Sequence, residues 1–111
     1  MLIGTLYARV HERKDRKTGR VETTIIAACD EELLGKVYSG RNGVQLDLQK
    51  YRSFYEGERV TEKQLAKLLI GARNVNLVGN KSIAAASTVL PLSQKNARTI
   101  GGVLHLQFYQ L

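Results

Sequence analysis

"ACDEELLGK", Ala28 to Lys36, sets the only cysteine of the chain directly before three acidic residues, a leucine pair and a glycine. The stretch is either an active-site thiol among carboxylates or the end of a strand and the start of a helix, and the choice decides how the flanking segments are arranged. A nucleophilic cysteine needs a cationic or helix-N-terminal setting that lowers its pKa, and usually a nearby base. Carboxylates beside Cys29 act in the opposite sense. Asp30 is a good N-cap residue, Glu31 and Glu32 suit the first turn of a helix, and Gly35 suits its end. The stretch therefore reads as a strand-to-helix junction with a structural cysteine, and Leu33 and Leu34 as the buried face of a short helix.

Working back towards the N-terminus, "VETTIIAAC" (Val21 to Cys29) is rich in β-branched residues, and "LIGTLYARV" (Leu2 to Val10) alternates. Leu2, Leu6, Ala8 and Val10 point one way; Ile3, Thr5, Tyr7 and Arg9 the other. With Gly19 as turn residue, the two runs predict a β-hairpin connected by the charged segment "HERKDRKTGR". On that geometry His11 and Cys29 lie at opposite ends, roughly 25 Å apart at about 3.3 Å per residue, too far to share a metal ion. His105 remains as a second residue that can approach Cys29, a weak metal signal without the usual ligand spacing.

Working forwards, "SGRNG" (Ser39 to Gly43) is turn chemistry, and "VQLDL" alternates with Val44, Leu46 and Leu48 on one face. "KYRSFY" (Lys50 to Tyr55) interleaves rings with cations, as stacking on unpaired bases requires. Phe54 is assigned to the core, and Tyr51 and Tyr55 are left open between core and surface. "TEKQLAKLLIGAR" is a helix with a capping box at Thr61 and Gln64, an apolar side made by Leu65, Leu68, Leu69 and Ala72, and Lys63, Lys67 and Arg73 away from it. "NVNLVGNKSIAAASTVL" reads as a short strand, a turn at Gly79 and a helix capped by Asn80 that stops before Pro91. It lacks the spacing of a phosphate loop, but a helix start carrying Lys81 and Ser82 can hold one phosphate. "GGVLHLQFYQL" closes the chain with strict alternation: Leu104, Leu106 and Phe108 inward, Val103, His105, Gln107 and Tyr109 outward. This last strand is expected inside a sheet, against a strand of the opening hairpin.

The order β-β-α-β-(β)-α-β-α-β predicts α+β: one compact domain over residues 1–111 with an N-terminal β-hairpin, a mixed sheet and two to three short helices. At 111 residues with 43% hydrophobic content, the chain has the size of one domain. No run is long and apolar enough for a membrane helix, and "MLIGTLYARV" lacks the marks of a signal peptide. A cytoplasmic protein is expected, and a single cysteine fits that compartment.

Charge directs the functional reading. Lys and Arg number 17 against 10 Asp and Glu, a net charge of +7. Between Arg9 and Arg20 six bases face Glu12 and Asp15, and after Glu62 no acid remains. Such a field attracts polyanions. The leading expectation is an RNA-binding accessory protein of the translation apparatus, with ribosomal RNA or tRNA as partner and ribosomal proteins as neighbours. Arg13, Lys14, Arg16, Lys17 and Arg20 form a basic finger; Lys50, Tyr51, Arg52 and Lys81 complete the nucleic-acid contacts. No catalytic set, metal site or cofactor motif is assembled. The alternatives are an enzyme acting on a phosphorylated or nucleotide substrate, with Lys81, Ser82 or Cys29 in its site, and a protein-interaction module, including a homodimer through strand edges.

Three stretches together, "AACDEELLGK", "NLVG" before a helix and "IGGVLHLQ", resemble the small archaeal proteins grouped as domain of unknown function 424, over most of the chain. "FYEGERV" (Phe54 to Val60) sits where that family carries a similar segment. Leu104 stands where the family usually has a proline, and the basic connection from His11 to Arg20 is richer than its common short turn. The resemblance implies an archaeal, cytoplasmic setting and no catalytic residue.

Overall fold

The computed structural model describes residues 4–110, so Leu2 and Ile3 of the first expected strand lie outside the described residues. In chain order the strands are β1 (Leu6–Lys14), β2 (Val21–Asp30), β3 (Val37–Ser39), β4 (Gln45–Asp47), β5 (Glu58–Val60), β6 (Asn74–Val78), β7 (Ala97–Ile100) and β8 (Val103–Tyr109). The α-helices are α1 (Arg52–Tyr55), α2 (Glu62–Leu69) and α3 (Asn80–Ser87). Six strands form one mixed sheet in the order β5-β1-β2-β6-β8-β7, and β3 and β4 pair separately. The fold is α+β.

β2 is central, and its composition explains why. Ile26 to Asp30 are all buried, a continuous run rather than an alternating one, because layers cover both faces of the sheet there. On one face Ile26 and Ala28 join Leu6, Val75, Leu77, Leu106 and Phe108 beneath α2 and α3. On the other, Ala27, Cys29, Val78 and Val103 meet Leu46 of β4, Leu48 just after it and Tyr55 of α1. The small side chains at positions 27–29 let both layers close on the strand. β2 pairs antiparallel with β1 and parallel with β6, and the parallel step is made by the long crossover through β3 to α2.

Several sequence expectations are corrected. The helix expected after Cys29 is one 3-10 turn, Glu31–Leu33, and Asp30 makes no side-chain cap on it. The Asp30 carboxylate instead accepts from the backbone amides of Lys81 (3.0 Å) and Ser82 (2.8 Å) and from the Ser82 hydroxyl (2.8 Å), capping α3 from across the sheet. Asn80 is the first residue of that helix rather than its cap, a position taken by Gly79. β8 pairs with β6 and β7, not with the opening hairpin, since β6 lies between β8 and β2. β3 and β7 were not foreseen; three- and four-residue strands carry too little periodicity to register. Leu68 is 40% exposed while Leu65 and Leu69 are fully buried, so the apolar stripe of α2 is narrower than its spacing suggests.

Candidate functional site: a basic ribbon and a polar cleft

The hairpin outruns the sheet. β1 is paired on its outer side only at Leu6–Ala8, by β5, and β2 only at Ile26–Cys29, by β6. The segments 9–14 and 21–25 therefore form a two-stranded ribbon whose outer edges are unpaired among the described residues, roughly 20 Å long at about 3.3 Å per residue. A register shift between Arg13 and Lys14 leads into its turn. Asp15 organises that turn: its carboxylate accepts from the amides of Lys17 and Thr18, both at 2.8 Å, and its own amide donates to the Arg20 carbonyl at 2.8 Å. Those two amides, Thr18 first, hold its pKa below the ordinary value. The turn is thus a defined structure, and around it Arg13, Lys14, Arg16, Lys17 and Arg20 are all exposed. Of these, Arg13 has a loose ion pair with Glu22 at 3.7 Å.

The remaining basic residues of interest are dispersed. Lys50 lies with its ammonium 5.5 Å from the centre of the Tyr51 ring, which is 54% exposed. Arg52 is engaged by Glu56 at 2.8 Å, an i,i+4 pair on the surface. Lys81 belongs to the far end of β2 from the ribbon tip. Its ammonium is 3.4 Å from Glu32, and the amides of residues 81 and 82 are occupied by Asp30. A carboxylate of the chain itself stands where a phosphate was expected, which corrects the phosphate-holding role of Lys81 and Ser82. The ribbon residues are brought together; Lys81 is not among them.

Cys29 is fully buried, and burial first, then Asp30 and Glu32, push its thiol up to about 12. Its Sγ donates to the Asp30 carbonyl at 3.3 Å. The distance expected between His11 and Cys29 was too large: His11 pairs with Ile25, four residues from Cys29, or about 13 Å. The two still face different surroundings. His11 Nε2 donates to the Phe54 carbonyl at 2.8 Å, and its ring stacks on Phe54 with centroids 4.6 Å apart. Phe54 is only partly buried, and Tyr55 is the aromatic that enters the core. Among the described residues, no three His, Cys, Asp or Glu side chains gather as a metal site would require.

Sequence reasoning missed a cleft of about 380 Å³ between β4, α1 and the open face of the sheet. At its floor the Asn76 Oδ1 accepts from the Tyr55 hydroxyl at 2.8 Å and lies 2.9 Å from His105 Nε2. Facing an acceptor, Nε2 carries the proton. Burial, and then the charge of Arg98, lower the His105 pKa from its ordinary 6.5, so the ring is neutral at pH 7. Tyr51 and Phe54 also line the cleft, whereas Cys29 does not. The one signal in the sequence was the polar pair of Asn74 and Asn76 inside the strand "NVNLV", which marks a sheet face that is incompletely covered.

No helix among the described residues is long and apolar enough to cross a membrane. The fold and its two features define a small basic α+β domain with a projecting ribbon and a ligand-sized cleft. The chain belongs to the family described as "Protein of unknown function (DUF424)", whose match covers residues 18–111. That span begins within the turn of the ribbon, so Arg13 to Lys17 precede it. Among solved structures, an uncharacterized conserved protein from Methanopyrus kandleri has the same fold, with TM-score 0.69 and 21% identity over 96% of this chain and 94% of that one. No curated protein matches the chain.

Proposed function

We propose that this protein is an RNA-binding accessory protein of the cytoplasm, working beside ribosomal RNA or tRNA and their protein partners. The observation that supports the reading is the ribbon: a two-stranded arm, unpaired on both outer edges among the described residues, that carries five exposed bases in and beside its turn. Such an arm lies along a phosphate backbone and releases counterions from it. The Asp15 turn, closed by its own hydrogen bonds, presents the bases on a defined loop, which limits the entropy lost on binding. The enzyme reading is weakened, because the phosphate site proposed for it is filled by Asp30 and the thiol is buried.

The test is fluorescence anisotropy with labelled single-stranded and hairpin RNAs at several salt concentrations. Log affinity should fall linearly with log salt, and replacing Arg13, Lys14, Arg16 and Lys17 together with alanine should flatten that slope by about 0.7 per lost single-strand contact. An unchanged slope and affinity in the quadruple variant removes the ribbon from the reading. In lysate, co-sedimentation with ribosomal subunits that is lost on ribonuclease treatment would place the partner in translation.

A further inference from the structure

We infer that the cleft floored by Tyr55, Asn76 and His105 is a pocket for one unpaired nucleobase carrying a ring carbonyl, presented by a strand that the ribbon holds. The assignment rests on the RNA reading for its ligand class, and on the cleft for everything else. Both donors at the floor, the Tyr55 hydroxyl and the His105 Nε2–H, converge on the Asn76 oxygen at 2.8 and 2.9 Å. The amide oxygen is thereby saturated and its plane fixed. The Asn76 Nδ2 donors have no acceptor among the hydrogen bonds of the described residues and are not buried, so they are free to donate to an acceptor on a ligand in the cleft.

The walls select a flat one. Phe54 is braced by the stacked His11 ring and by the Tyr55 ring, perpendicular to it with centroids 5.1 Å apart. Tyr51 stands exposed at the rim with Lys50 beside its ring. A volume of about 380 Å³ lies near the lower end of the small-ligand range, which runs from about 300 to 1,000 Å³, and suits one base rather than two. The charges near the pocket are mixed: Asp47 lines it, its carboxylate already accepting from the amides of Gln49 and Lys50, while Lys50 and Arg98 are exposed nearby. An anion alone gains little from that balance. Uracil, cytosine and guanine carry the carbonyl; adenine does not.

The experiment is an amide and imidazole NMR titration of the full chain with uridine, adenosine and inorganic phosphate, followed by an oligouridylate. Saturable shifts with uridine at Gln45 to Tyr55, Asn76 and His105, weaker with adenosine by roughly tenfold, are the expected result. Tyr51→Ala, an exposed position that leaves the fold alone, should weaken uridine about tenfold by loss of stacking. Asn76→Ala should do the same by loss of the donor. Oligouridylate should bind more tightly than uridine, and the quadruple ribbon variant should lose that gain while keeping uridine. No saturable uridine shift, equal shifts with phosphate or adenosine, or an oligonucleotide no tighter than the nucleoside would each overturn the assignment. Oligonucleotide binding without cleft shifts defeats the pocket and leaves the ribbon reading standing, whereas uridine binding in the cleft without any ribbon-dependent gain defeats the ribbon reading and the presentation of the base by it.

Discussion

Asp30→Ala should be among the most damaging single substitutions in the protein, although a surface-type residue is being truncated. Asp30 is 2% exposed and Ser82 is fully buried. Removing the carboxylate strips three hydrogen bonds, to the Lys81 amide, the Ser82 amide and the Ser82 hydroxyl. The two Ser82 donors lose their partner out of reach of water, at about 1–3 kcal/mol each. The half-buried Lys81 amide can recover a water and adds little. The total is about 3 kcal/mol, a large share of the 5–15 kcal/mol typical of a domain. With a urea m-value of about 1–3 kcal/mol/M, the unfolding midpoint should drop by about 1–3 M. Gly79 supplies the internal control. Its φ of 104° and ψ of 158° form a region open essentially to glycine alone, and a Cβ there would fall 2.2 Å from the Asp30 Cγ. Gly79→Ala should therefore both strain the backbone and dislodge the cap. In the Asp30→Ala background only the strain remains, so the double variant should cost less than the sum of the two singles. A loss below about 1 kcal/mol for Asp30→Ala, or strict additivity with Gly79→Ala, would refute the reasoning.

Cys29, with its thiol pushed up to about 12 by burial and two neighbouring acids, should resist alkylation by iodoacetamide in the native state and react at the ordinary rate once unfolded in urea. Native labelling as fast as that of the unfolded chain would contradict its place in the core. His105 binds its proton only below its ordinary 6.5 in the folded state, so the unfolded chain takes up the proton first as pH falls. Stability should decline as pH drops below about 6.5 and level off once the folded ring is also protonated, and His105→Gln should remove that portion of the decline; urea titrations from pH 8 to 5 on both proteins measure it.

Much of the fold was legible because its signals are local. Alternation in Leu6 to Arg9 and in Leu106 to Tyr109, the β-branched run ending at Cys29, and the reciprocal capping box of Thr61 and Gln64 each depend on neighbours a few residues away, whereas Val103, expected outward, is buried by the second layer. Ambiguity entered where a residue had two plausible partners. Asp30 carries the chemistry of an N-cap, and the reading gave it the nearest helix; packing gave it one that begins fifty residues later. Phe54, expected in the core, only packs against it, and Tyr55, left open by the sequence, is the ring that enters it, since composition ranks the two rings but not their positions over β1.

The sequence by itself determined the α+β class, the hairpin, the structural role of Cys29 and the concentration of charge between Arg9 and Arg20, because propensity, periodicity and charge are properties of short stretches. Only the tertiary structure decided that the central strands are β2 and β6, that the ribbon runs past the sheet, that Asp30 occupies the start of α3, and that Tyr55, Asn76 and His105 share one cleft. Those residues come from three distant elements, and what unites them is the register of β8 against β6 and the way α1 packs across the sheet, neither of which leaves a mark in any single stretch of the chain.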